Sequence, residues 1–119
     1  MDRFLAAVAA GYGALGVGAL ARPTLVPDTF GATASTPQAR TEIRAVYGGL
    51  PLAIAGLLVA APRSSAVPVG VMTAGMAAGR VVGGALEPGP TPAVTRLFVG
   101  IELVLSAACF AGAGRGRKG

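Results

Sequence analysis

The sequence predicts an all-α protein, an antiparallel bundle of four transmembrane helices. Three observations lead there. Hydrophobic residues make up 53% of the chain and charged residues only 13%, and the mean hydropathy is +0.67, well outside the balance of soluble domains. The apolar residues fall into four blocks, each near the roughly 20 residues that a bilayer crossing needs. Proline, glycine and arginine punctuate the gaps between the blocks. With 119 residues, the chain is read as one membrane domain, 1–119.

The first helix is expected over 4–21, an uncharged run that ends at Arg22-Pro23. Met1 to Ala21 also carries the short basic start, apolar run and Ala19-Leu20-Ala21 of a signal peptide. The run exceeds a typical signal core of about 7–15 residues, so a retained span is expected. Residues 22–36, with "VPDTFGATAST", form the only long connection and read as a polar loop or a short surface-lying piece, without a convincing period. The second helix is expected over 37–61, with Thr36 as N-cap and Pro37 in the first turn. Ala61-Pro62-Arg63-Ser64-Ser65 closes it and caps a third helix over 66–86. Thr91-Pro92 starts a fourth over 92–114, followed by a basic tail, 115–119. Short links join the second helix to the third and the third to the fourth, which makes those neighbours antiparallel.

Composition also excludes functions. Histidine is absent and Cys109 is the only cysteine, so a His/Cys metal cage and a disulfide within the chain are ruled out. No metal and no cofactor is expected. The net charge of +5 comes from basic residues scattered singly, apart from the "RGRKG" tail; no patch tracks a phosphate backbone, so nucleic acid is not an expected partner. Four spans place both termini on one side, with Arg3, Arg63, Arg115, Arg117 and Lys118, against Arg22, Arg40 and Arg96 on the other. The positive-inside rule then makes both termini cytoplasmic in a plasma membrane.

The informative residues are charges inside apolar segments. A charge near the bilayer middle costs at least about 2.5–3.5 kcal/mol on insertion scales. Arg80 in the third helix and Glu102 in the fourth lie about 9 Å and about 13 Å from the same boundary, at 1.5 Å rise per residue. Their charged ends can meet. Glu42, Arg44 and Tyr47 enter from that side on the second helix, so all five are expected to form a polar cluster in the outer half of the membrane. On the fourth helix Thr95, Glu102, Ser106 and Cys109 form a polar or small stripe aimed inward. Pro51 frees the carbonyl of Tyr47 and is expected to bend the second helix. Gly48 and Gly49, and the series Gly75, Gly79 and Gly83 at four-residue spacing, are read as helix-packing positions. Met72 and Met76 read as core filler, and Cys109 as a small packing residue without a redox role.

Glu42-Ile43-Arg44 with Tyr47-Gly48-Gly49, then Gly79-Arg80 and Glu102-Leu103, together resemble an uncharacterised family of small bacterial four-helix membrane proteins. In outline the chain is also similar to the broader DoxX-like group. The resemblance covers Phe4 to about Gly112. It implies a retained first span, a bacterial inner membrane and a shared Glu/Arg centre, and brings no substrate or activity. Where an Asp-Gly turn would follow the third helix, the chain has Glu87-Pro88-Gly89-Pro90.

Three functional classes compete. The first is a non-catalytic bundle that, besides membrane lipids, binds a small apolar or lipid-like ligand or a membrane partner, with the polar cluster holding a head group. The second is a small proton-linked transporter, which would need a homo-oligomer to enclose a pathway because the inverted repeats of longer carriers are missing. The third is an intramembrane enzyme using Glu42 or Glu102 as acid or base; no nucleophile–base pair or cofactor loop accompanies them, so no catalytic residue is assigned.

Overall fold

The computed structural model describes the backbone of residues 1–118 and the side chains of residues 1–115; the side chains of the basic tail past Arg115 lie outside the described residues. It contains α1 (Arg3–Ala21), a short α2 (Leu25–Thr29), α3 (Pro37–Ile43), a π-helical turn (Arg44–Gly49), α4 (Leu50–Ala60), α5 (Pro62–Leu86) and α6 (Ala93–Lys118). The α3 segment, the π turn and α4 run on as one span, so four helices are long and apolar enough to cross a membrane.

Each helix end has a local cause. Asp2 Oδ1 accepts the N–H groups of Phe4 at 2.8 Å and Leu5 at 3.3 Å, which caps α1. Thr36 Oγ1 accepts the N–H of Ala39 at 3.0 Å, with Pro37 in the first turn, as expected of α3. The third span begins earlier than the sequence predicts. Pro62 opens α5 directly after Ala61, a position that does not need its missing N–H. Ser65 is therefore helical rather than a cap, and its hydroxyl donates to the carbonyls of Ala61 at 2.7 Å and Leu57 at 3.1 Å, locking the tight α4–α5 corner.

Pro51 acts on the turn before it. It offers no N–H to the Tyr47 carbonyl, and the chain responds by widening: the Leu50 N–H reaches the Ala45 carbonyl, five residues back instead of four.

α1 packs against α4 and the π turn on one side and against α6 on the other, while α5 packs chiefly on α6. All these neighbours are antiparallel. In α1, 33% of the most apolar window is buried against 22% in each other span, which makes α1 the central helix. The core lies toward the end that carries both termini and the α4–α5 corner. There Leu5, Val8, Ala9 and Tyr12 of α1 meet Ile54 and Leu58 of α4, Ala66 and Val69 of α5, and Cys109 of α6. Arg115 sits 3.6 Å from Asp2 and lies over the Phe4 ring at 4.1 Å, tying the end of the last span to the start of the first.

The helices approach most closely at glycines, but not at all the expected ones. A Cβ on Gly16 would fall 2.6 Å from Leu52 and 2.8 Å from the Gly48 carbonyl oxygen; one on Gly48 would fall 2.8 Å from Leu20; one on Gly112 would meet Leu5 at 2.7 Å. Gly70 is similarly tight against Phe110 and Cys109. Gly48 thus packs as expected. Gly75, Gly79 and Gly83 have nothing within 4 Å, and Gly49 meets only its own turn. The reason is helical phase. The buried face of α5 runs through Ala66, Val69, Gly70, Thr73 and Ala77, and at about 100° per residue Gly75 and Gly79 point away from it and Gly83 to its flank. Met72 and Met76, expected as core filler, are exposed there too.

Two outcomes follow. Gly16→Ala should lose about 1–3 kcal/mol through overpacking, whereas Gly79→Ala should cost nothing, as measured by thermal unfolding in detergent. At the terminal end, desolvation raises the Asp2 carboxyl, but the Phe4 and Leu5 N–H groups and the Arg115 charge outweigh it and hold it below its ordinary value. A lowered value in the folded state contributes stability above the unfolded value, and that stability is lost as pH falls through the folded one. Unfolding monitored across the acidic range should show this loss in the parent chain and a flatter profile in Asp2→Asn.

Candidate functional site

The end opposite the termini holds the loop 22–36 and the α5–α6 connection, and here the helices bury less. Arg80 of α5 and Glu102 of α6 meet at this level: Arg80 Nε donates to Glu102 Oε1 at 2.9 Å, the only hydrogen bond of the Arg80 side chain among the described residues. Antiparallel packing of α5 on α6 makes the meeting possible, and the buried stripe of α6 delivers the acid. Glu102, Ser106 and Cys109 are all buried and Thr95 is half-buried, in line with the expected inward face.

Two aromatic rings complete the site. Phe98, one turn before Glu102 on α6, lies 5.3 Å from the Arg80 guanidinium carbon, and Phe30 lies 5.2 Å from it. The two rings are 5.0 Å apart and tilted by 51°. Phe30 comes from the loop, just past α2, and the chain turns away from it through Gly31 at φ +74°, a conformation that favours glycine. Each ring presents its negative face to the cation, an attraction worth about 0.5–2 kcal/mol depending on desolvation.

The side chain of Arg80 remains 27% exposed and that of Glu102 8%. The guanidinium is thus held at one nitrogen and framed by rings, with the terminal nitrogens still able to donate to an acceptor. Among the described residues no group of His, Cys, Asp or Glu side chains could hold a metal ion.

Glu42, Arg44 and Tyr47 do not join this site. No hydrogen bond or ion pair links them to Arg80 or Glu102 among the described residues. The π turn that carries Arg44 and Tyr47 packs on α1, and α1 lies between it and α6. Arg44 serves α1 instead. Its Nε donates to the Leu20 carbonyl at 3.1 Å, satisfying one of the carbonyls that the last turn of α1 leaves without a partner. Glu42 is exposed, and Tyr47 is 39% exposed. The expected cluster of five therefore reduces to the Arg80–Glu102 pair. What sequence reasoning missed is Phe30 and Phe98. Phe98 was legible as the residue four before Glu102; Phe30 stood out as the one aromatic in an otherwise polar loop.

Beneath the pair, toward the termini, lies a buried polar layer. Thr73 of α5 donates to its own Val69 carbonyl at 2.8 Å, which leaves its oxygen to accept the hydrogen bond from the Tyr12 hydroxyl of α1. Ser106 donates to the Leu103 carbonyl. No buried side-chain polar atom lacks a partner among the described residues, as expected where an unmade hydrogen bond is costly.

If the rings hold the cation electrostatically, Phe98→Leu should cost about 1 kcal/mol in detergent stability, and the cost should shrink in an Arg80→Gln background, where no cation remains to be held.

The chain matches no curated protein and no solved structure. A family model described as a domain of unknown function (DUF4345) matches residues 2–113. That match takes in the first three spans, most of the fourth, the Phe30 loop and the Arg80–Glu102 pair, and the chain accordingly belongs to the DUF4345 family.

Proposed function

We propose that the protein is a non-catalytic membrane bundle that holds a lipid-like or small apolar ligand, with an acceptor group of that ligand on Arg80. The observation that carries the reading is the one-point ion pair: Arg80 bonded to Glu102 only through Nε, framed by Phe30 and Phe98 and still partly exposed. An arginine serving only to neutralise a carboxylate commonly pairs through two nitrogens. This one retains donors at the loop end, beside the Phe30 and Phe98 rings, which suit an apolar body.

The proton-linked carrier is less well supported. The polar layer contains hydroxyls, but Thr73, Ser106 and Ser65 each donate to carbonyls of their own or the adjoining helix. The link from Tyr12 through Thr73 ends at the Val69 carbonyl, which has no proton to pass on. An enzyme reading has less still, since no nucleophile is paired with a base at the site.

The orientation rests on the sequence, which puts Arg3, Arg63, Arg115, Arg117 and Lys118 on the side of the termini against Arg22, Arg40 and Arg96 on the other, with Arg44 near that boundary. Both termini then face the cytoplasm, and the ligand site lies in the opposite half of a plasma membrane.

Native mass spectrometry of the protein released from nanodiscs tests the ligand. A small molecule retained by the parent chain and missing from the Arg80→Gln variant is expected, with the two compared under mild conditions where both are folded. Two empty spectra, or a molecule retained equally by both, would remove the basis for the assignment.

A further inference from the structure

The outward face of α6 carries a second feature that the Arg80 site does not use. Arg96, Leu97, Gly100, Ile101, Val104 and Leu105 line an open groove of about 530 Å³. At about 100° per residue, these positions centre on the side of α6 opposite the buried Glu102, Ser106 and Cys109. In a chain whose α6 is long and apolar enough to span a membrane, that side meets lipid. The groove passes over Gly100, which has no side chain and where a Cβ would find nothing within 4 Å. Leu97, Ile101 and Val104 expose 60%, 42% and 68% of their surface along it.

Arg96 is the one charge on the groove. It lies within the first turn of the span, close to the water boundary, and its side chain makes no hydrogen bond or ion pair among the described residues. From Arg96 to Leu105 the groove runs about 13 Å along the helix, close to the depth of one leaflet of an approximately 30 Å hydrocarbon core. A cation at the boundary above an apolar channel one leaflet deep complements one kind of molecule. We propose that this groove binds an anionic phospholipid, with the phosphate on the Arg96 guanidinium and one acyl chain along Gly100, Ile101 and Val104. Arginine suits that head group because its planar fork donates two parallel hydrogen bonds to phosphate oxygens.

The test is native mass spectrometry of the full chain in detergent, titrated with phosphatidylglycerol and with phosphatidylcholine of the same acyl chains. The parent chain should retain phosphatidylglycerol about fivefold more tightly, the scale of one basic side chain at an anionic surface. Arg96→Gln should abolish the preference and Arg96→Lys should keep most of it. Gly100→Leu, which fills the groove while leaving the charge, should weaken both lipids. Equal retention of the two lipids by the parent chain would overturn the proposal, as would a preference that survives Arg96→Gln. Competition by glycerol phosphate, which has no acyl chains, as strong as that by the lipid would also overturn it by showing that the groove plays no part. A dimer of the chain that Gly100→Leu disrupts would reassign the face to a second copy.

Discussion

A guanidinium placed well inside a membrane-length helix has to be neutralised within reach of its own side chain, and much of the loop end is arranged around that need. Arg80 meets Glu102 on α6 at 2.9 Å, and the meeting sets the register of α5 on α6. It also draws in Phe98 from α6 and Phe30 from the loop. A connection with no apolar period of its own, residues 22–36, is thereby anchored over the site. In water such a pair would contribute little; in an apolar surround, leaving either partner alone is what costs.

The other end is built on size rather than charge. α1 occupies the centre and presents Leu5, Val8, Ala9 and Tyr12 to the remaining spans, while Gly70 and Gly112 let side chains approach where a Cβ would collide, as Gly16 and Gly48 do farther along α1 toward the loop end. Without a hydrophobic force between helices in lipid, close contact of this kind is what holds spans together. The two ends are complementary: the terminal half is tight and satisfied, and the loop half is open enough to leave Arg80 partly accessible.

How much of this was legible depends on range. Pro37, Thr36 and the charge punctuation act within a turn or two, so the four spans could be read directly from the chain. The Arg80–Glu102 contact was also readable, because a short link forces α5 and α6 antiparallel and the two depths then match. Sequence reasoning failed where it needed to know which helices touch. Glu42 and Arg44 lie at a compatible depth, but α1 lies between them and α6, and depth alone carries no information about lateral order. Gly75, Gly79 and Gly83 have the right spacing but lie off the buried face of α5; spacing gives the stripe and not the direction it points. Phe30 escaped because its position depends on how a long loop folds back.

If Arg80 and Glu102 organise the loop end, they must be energetically coupled to one another. A double-mutant cycle of Arg80→Gln and Glu102→Gln, followed by unfolding in one detergent, measures that coupling. Each single change should destabilise the fold, and the double variant should recover part of the loss, with a coupling of at least about 1 kcal/mol. Additive losses with no recovery would refute the coupling, because the two charges would then be acting separately.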